Sequence, residues 1–247
     1  MKKVIVIPAR LDSSRLPKKI LLDLKGKTVI QRVYEQCLLV KNIDAVYIAT
    51  DSEEIKEVCQ VFTDNVIITK STHQSGTDRI GQAVEGIDCD VVINVQGDEP
   101  FIDPKLIEEL VRSFENTETP MASAMSRIYD SKDLQNSNVV KVTVDNLNNA
   151  LYFSRSPIPF PRDNKEVFES NSVLKNYTFY RHIGLYGYRK DFLLQYIKMD
   201  QSSLEKVEKL EQLRVLENGF KIKMIETESS VIGIDTLEDY KEALKKF

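Results

Sequence analysis

Apolar residues follow two alternating rhythms through the first half of the chain. Residues 4–7, 45–49, 66–68 and 91–95 are short runs rich in valine and isoleucine, the pattern of strands buried on both faces of a parallel sheet. Between them the spacing changes to that of amphipathic helices. Val29, Ile30, Val33, Tyr34, Cys37 and Leu38 share one face over 28–40. Ile55, Val58 and Phe62 do the same after Thr50-Asp51-Ser52, a run of capping residues. Residues 75–85 read as a third helix opened by Ser75, Gly76 and Thr77. Asp103 and Pro104 start a fourth, with a buried stripe of Leu106, Ile107, Leu110, Val111 and Phe114. Repeated strand–helix units predict an α/β fold with helices on both faces of the sheet. Such sheets bind ligands at the carboxyl ends of their strands. The polar segments 9–19, 69–79 and 96–100 are therefore the expected binding loops.

The second half changes character. Residues 139–144 alternate, and 150–153 are a candidate pairing partner. Residues 179–188 are rich in aromatics and read as a strand. These strands are expected to extend or flank the main sheet as a mixed, partly antiparallel layer. Residues 160–177 are polar and contain prolines, which predicts a loop. Residues 204–216 read as one helix, with Gly219 as its stop. A late strand is expected over 221–225 and a terminal helix over 236–247. No internal repeat or low-complexity linker interrupts the chain.

Composition narrows the classes. A chain of 247 residues accommodates one large domain, or a main domain with a smaller insertion. A formal charge of -4 argues against a nucleic-acid partner and suits a small substrate. Cys37, Cys59 and Cys89 are single and widely spaced, with neither zinc nor disulfide spacing, and are expected in core or neutral positions. The apolar run near the start stops at Pro8 and is followed by Arg10, Asp12 and Arg15, too short for a signal-peptide core. No apolar stretch approaches membrane-span length, so no membrane partner and a cytoplasmic location are expected.

Four segments carry candidate chemistry. Residues 8–19, from Pro8 and Ala9 through Arg10, Ser13, Ser14, Arg15 and Lys18 to Lys19, place four cations and two hydroxyls directly after the first strand. A triphosphate needs several donors from one loop, and arginine and lysine supply them; a solvated basic loop is the alternative. Neither a Walker loop nor GxGxxG is present. Gln96-Gly97-Asp98-Glu99-Pro100 ends a buried strand in adjacent carboxylates, suited to a hard cation such as Mg²⁺ or to a plain turn. Asp235 either caps the last helix, a task Thr236 could also take, or is a second metal carboxylate. His73 lies in a polar loop able to read a base, and His182 lies on a strand able to meet a sugar. Each has an ordinary structural reading too. No GxSxG, HExxH or CxxC supports covalent or zinc chemistry.

Together these segments resemble the 3-deoxy-manno-octulosonate cytidylyltransferase family, the CMP-Kdo synthetases. The resemblance runs from Ile7 to Asp239 and is carried by IPARLDSSRLPKK (7–19), ATDSEEI (49–55), SGTDRI (75–80), NVQGDEPFI (94–102), NVVKVTVD (138–145), ALYFSRSPIPFPRD (150–163), YRHIGLYGYR (180–189), LEKVEKLEQLRVLENG (204–219) and GIDTLEDY (233–240). Their order and spacing are specific where each alone is weak. One departure is Lys18-Lys19-Ile20, where many members carry glycine-lysine-proline; Lys19 is the matching lysine.

The resemblance implies a nucleotide-diphospho-sugar transferase-like, Rossmann-like mixed sheet flanked by helices, with a smaller lobe used in homodimerisation. It implies a nucleotide-binding part at about 1–127 and 220–247 and a sugar-binding part at about 128–219. The implied reaction joins Kdo to CMP from CTP, releasing pyrophosphate, for lipopolysaccharide biosynthesis in a Gram-negative bacterium. An amino-substituted Kdo and a sialic-type acid are the near alternatives; a non-catalytic nucleotide sensor is the distant one. By the same resemblance, Pro8, Ala9, Arg10, Arg15, Lys19, His73, Ser75 and Gln96 meet the nucleotide. Asp98 and Asp235 hold Mg²⁺ and, with Lys19, form the catalytic set. Arg155, His182, Tyr186, Glu211 and Gln212 line the sugar site.

Overall fold

The computed structural model describes residues 1–11, 15–73, 75–229 and 233–246. The expected hydroxyls of Ser13 and Ser14, and Gln74 beside His73, lie outside the described residues. In chain order the elements are β1 (Lys3–Ala9), α1 (Val29–Leu38), β2 (Ala45–Thr50), α2 (Glu53–Cys59), β3 (Val66–Ile68), α3 (Gly76–Val84), β4 (Val91–Asn94) and α4 (Pro104–Arg112). They continue as β5 (Met121–Arg127), α5 (Ser131–Gln135), β6 (Lys141–Val144), β7 (Ala150–Ser154), α6 (Asn171–Leu174) and β8 (Tyr180–Arg189). The chain then forms α7 (Lys190–Tyr196), α8 (Ser203–Glu208), α9 (Gln212–Glu217), β9 (Ile222–Glu226) and α10 (Leu237–Lys246).

Contacts divide the chain into two compact units. The first comprises Met1–Arg112, Leu185–Ile197 and Val231–Phe247; the second comprises Ser113–Gly184 and Lys198–Ser230. These boundaries are drawn differently from those expected near 128 and 219: β5 and β9 group with the second unit, and 185–197 with the first.

In the first unit β3, β2, β1 and β4 run parallel in that order, and Leu185–Arg189 of β8 closes the row antiparallel to β4. The register sets Val4 beside both Ala45 and Val92. The apolar runs are buried as their composition demands: Ile5, Val6, Ile7, Val91, Val92 and Ile93 have no exposed surface. Each such side chain contributes roughly 1.5–3 kcal/mol relative to exposure. The helices start where the capping residues stand. Thr28 accepts from Gln31 N, Ser52 from Ile55 N, and Ser75 forms a reciprocal capping box with Asp78. A Cβ on Gly97 would lie 3.0 Å from the Pro8 carbonyl oxygen and 3.1 Å from Ile30 Cδ1, so the close approach of these two strand ends requires glycine.

In the second unit β5 pairs parallel with β9, and β6 pairs antiparallel with both β7 and the start of β8. Two expectations change here. The segment 160–177 is not a bare loop: it carries a short turn of helix at Lys165–Phe168 and then α6, and it buries Val167 and Leu174 against Ile128, Leu134 and Phe179. The single helix expected over 204–216 is two, α8 and α9. Lys209 adopts a left-handed conformation (φ 54°) at the end of α8 and breaks the run. The three cysteines are free and buried.

Candidate active site

Four charged residues of the first unit, Arg15, Lys19, Asp98 and Asp235, converge from distant parts of the chain. Lys19 Nζ donates to Asp98 Oδ2 and, at 2.6 Å, to Asp235 Oδ1. Arg15 Nη2 reaches the other oxygen of Asp235 at 3.1 Å. Local packing holds this meeting in place. Leu24, Val29, Ile234 and Ala243 form a satellite core, with Leu16, Leu22 and Phe101 packed against it. Apolar neighbours of Arg15, Asp98 and Asp235 thus share one cluster while the charges project from it. Ile234 N also donates to Asp98 O at 2.8 Å, which splices the two acidic segments directly.

Burial lowers the Lys19 ammonium, but Asp98 and Asp235 outweigh it and hold its pKa above the ordinary lysine value. Glu99 stands behind the pair. Burial, reinforced by the charges of Asp98 and Asp235, pushes its carboxyl up to about 8. Its Oε2 is buried without a hydrogen-bond partner among the described residues. The sequence shows the two carboxylates as adjacent, but not that Glu99 is the buried one of the pair.

Whether Asp235 caps α10 is settled by its neighbours. Thr236 Oγ1 accepts from Asp239 N at 3.2 Å, while Asp239 Oδ2 accepts from the backbone N–H of Asp235 and Thr236. The capping task belongs to Thr236 and Asp239, which leaves the Asp235 carboxylate free to face Lys19. Thr236→Ala should therefore cost about 1 kcal/mol of stability and leave turnover near the wild-type value. Thermal unfolding and a steady-state assay on the same preparation check both halves.

The chemistry of these donors fits a hard divalent cation. Two carboxylates from separate loops meet, and the Lys19 ammonium stands between them where a metal ion could. Among the described residues no group of three or more His, Cys, Asp or Glu side chains could enclose a metal. Phosphate oxygens and water would complete the coordination, as Mg²⁺ prefers.

The other nucleotide candidates of this unit surround the carboxyl ends of β1, β3 and β4. Pro8 and Ala9 end β1, and Arg10 follows with an exposed side chain. Lys18 is left-handed (φ 53°) and is drawn to the Glu54 carboxylate at 2.8 Å. Ser75 spends its hydroxyl on the α3 cap. His73 Nε2 lies 2.6 Å from Gln82 Oε1, which also accepts from Lys70 N, so the imidazole ties its loop to α3. Gln96 Nε2 donates to Asn94 Oδ1 at 3.2 Å. Tyr186 lies opposite Asn94 across the β4–β8 pair and stacks on Tyr188. A residue not singled out from the sequence, Arg79, is buried and binds Asp51 at 3.0 Å and Thr69 Oγ1 at 2.7 Å, fixing both strand ends to α3.

The second unit carries the remaining sugar candidates. His182 Nε2 lies 2.9 Å from Ser123 Oγ, and its ring meets Phe153 edge-on at 5.0 Å. Desolvation drives its pKa down to about 3, so the imidazole is neutral. Between about pH 3 and the unperturbed value near 6.5 the unfolded chain binds a proton that the folded chain refuses. This contribution to stability is complete above the unfolded pKa and is lost as pH falls through that window. His182→Gln should flatten the fall in melting temperature between pH 7 and 5 by the equivalent of about 1 kcal/mol, a value discounted because the residue as a whole is only partly buried. Differential scanning calorimetry at stepped pH reads this directly. Glu211 and Gln212 stand at the start of α9, where Gln212 is buried. The Arg155 guanidinium is directed at backbone carbonyls, with Nε 2.7 Å from Glu208 O and Nη1 3.0 Å from Ser137 O.

A cytidylyltransferase family model matches residues 4–224. A 3-deoxy-manno-octulosonate cytidylyltransferase of Trichlorobacter lovleyi is 43% identical over an alignment covering 100% of this chain and 98% of its own. One from Francisella tularensis subsp. holarctica is 46% identical, covering 98% and 97%. The chain belongs to the 3-deoxy-manno-octulosonate cytidylyltransferase family. A solved structure of CMP:2-keto-3-deoxy-manno-octonic acid synthetase complexed with CTP superposes with a TM-score of 0.92 at 38% identity, covering 100% of this chain and 98% of that one. The likeness bears out the expected nucleotidyltransferase-like fold, a central sheet flanked by helices. Asp235 falls beyond the span of the family model but inside the full-length alignment to the Trichlorobacter member of the 3-deoxy-manno-octulosonate cytidylyltransferase family.

Proposed function

We propose that the protein is a magnesium-dependent transferase that moves CMP from CTP to the anomeric hydroxyl of Kdo, releasing pyrophosphate and supplying activated Kdo for lipopolysaccharide. The observation that carries this reading is the meeting of Asp98 and Asp235 around a cation, beside a loop of arginine and lysine at the carboxyl ends of parallel strands. Family membership and the likeness to a CTP complex support it.

Catalysis in such a transfer is mostly positioning and charge stabilisation. Asp98 and Asp235 would hold one Mg²⁺, which when bound polarises the α-phosphate and lowers the pKa of the attacking hydroxyl. Lys19 would then turn from the carboxylates to the phosphates, joining Arg10 and Arg15 in neutralising the leaving pyrophosphate. His73, Ser75 and Gln96 would frame cytosine and ribose through Pro8, Ala9 and their own loops. His182, Tyr186, Glu211 and Gln212 would recognise the sugar acid. Among the described residues no helix is long and apolar enough to cross a membrane. The proposed enzyme is cytoplasmic and uses small substrates. A homodimer formed through the second unit would cover Leu151, Phe160 and Val207, which are 61%, 62% and 81% exposed.

The test is pyrophosphate release from CTP with Kdo, 8-amino-Kdo or N-acetylneuraminate, each with and without EDTA. Release with Kdo that EDTA abolishes supports the proposal. Release with another sugar alone moves the specificity, and binding of CTP without release under any condition replaces the enzyme with a sensor. Light scattering on the same sample reads the dimer.

A further inference from the structure

The geometry points to Arg155 as a positioning residue that sets Glu211 and Gln212, not as a ligand of the sugar acid's carboxylate. This rests on the proposed role of Glu211 and Gln212 in sugar recognition.

A cation in a sugar-acid enzyme invites assignment to the substrate carboxylate, and the sequence places Arg155 that way. Its three nitrogens instead donate to main-chain oxygens: Nε to Glu208 O at 2.7 Å, Nη1 to Ser137 O at 3.0 Å and Nη2 to Lys209 O at 3.4 Å. Glu208 O and Lys209 O are the orphan carbonyls at the end of α8, where a cation is favoured. The bond is reciprocated. The Glu208 carboxylate accepts from Ser154 Oγ at 2.6 Å and from Arg155 N at 3.0 Å. The end of β7 and the end of α8 are thus clasped in both directions.

Two further groups brace the clasp. Lys141 is fully buried, and its ammonium donates to Arg155 O, Asn136 O and Val139 O at 2.5, 3.0 and 2.7 Å. Beyond the break, Arg214 forks onto Glu205 at 2.6 and 2.8 Å, with both side chains buried, tying α9 back to α8. The left-handed Lys209 lies between these two ties, and Glu211 begins α9 just after it. Where Glu211 and Gln212 stand is therefore decided by the angle at this break, and Arg155 holds the break from the β7 side. Turning the guanidinium to a ligand would strip two helix-end carbonyls of their donor.

The experiment compares Arg155→Ala, Glu208→Ala and Gln212→Ala, with KM for Kdo and for CTP measured separately and melting temperature as the folding control. Glu208→Ala removes only the carboxylate half of the clasp, its bonds to Ser154 Oγ and Arg155 N, and keeps the guanidinium and the main-chain oxygens it serves. The inference expects Arg155→Ala to raise KM for Kdo by about tenfold or more, and Glu208→Ala to raise it by less, with KM for CTP little changed in both. It expects the Arg155→Ala, Gln212→Ala double variant to fall well short of the product of the single effects. Arg155→Lys, which cannot fork across two carbonyls, should resemble Arg155→Ala. A Kdo KM that rises in Arg155→Ala but stays normal in Arg155→Lys, or effects that multiply in the double variant, overturns the inference. A normal Kdo KM in Gln212→Ala instead removes the reading on which it rests.

Discussion

Asp98→Asn is expected to lower kcat by at least about a hundredfold, the scale of losing one dedicated stabiliser of transition-state charge. Asparagine keeps the shape of the side chain and the turn at Gly97, so the fold should persist. The ion pair with Lys19 is largely buried, with 14% and 23% of the two side chains exposed, and its loss should cost about 1–3 kcal/mol while Lys19 keeps Asp235. What asparagine removes is the formal charge that Asp98 would bring to the proposed divalent cation. Asp235→Asn should behave alike, because Thr236 and Asp239 keep the helix cap intact. Kinetics at saturating Mg²⁺, paired with calorimetry, provide the check. Near-normal turnover of either variant would remove that residue from the metal site.

Lys19→Met should produce the second large effect, with an unusual companion. The ammonium is the counter-ion for Asp98 and Asp235 in the protein without substrate. Its removal leaves two facing carboxylates and a desolvated Glu99 behind them, at a cost of about 1–2 kcal/mol given the exposure of Asp235. Mg²⁺ alone should then raise the melting temperature of the variant more than that of the wild type, because the metal no longer competes with a built-in cation. Turnover should nevertheless fall by about two orders of magnitude, since the proposed mechanism also places the lysine on the phosphates. Equal Mg²⁺ shifts in the two proteins would argue against a shared cation position.

The parallel half of the fold was legible because each strand is an unbroken β-branched run and each helix opens on a capping side chain. Thr28, Ser52 and Ser75 cap where sequence logic puts helix starts. Legibility failed where the signal was tertiary. β5 reads Met-Ala-Ser-Ala-Met-Ser-Arg, with neither the branching nor the alternation of a strand, and only its neighbours β8 and β9 make it one. Val167 and Leu174 are isolated apolar residues in a polar segment, and nothing local foretells their burial. The break at Lys209 lacks the glycine or asparagine that usually marks a left-handed residue. In the site, residue type identified Lys19, Asp98 and Asp235 as reactive candidates. It gave no sign that Lys19 bridges the two acids, nor that the guanidinium of Arg155 serves backbone carbonyls.

Lys19 and Asp235 touch across 216 positions of chain. Closing so long a loop adds only a logarithmic entropic cost. A nascent chain that has emitted Lys19 and Asp98 but not Asp235 would carry only one of the two carboxylates proposed to hold the metal, so the proposed site can be completed only once position 235 has been made.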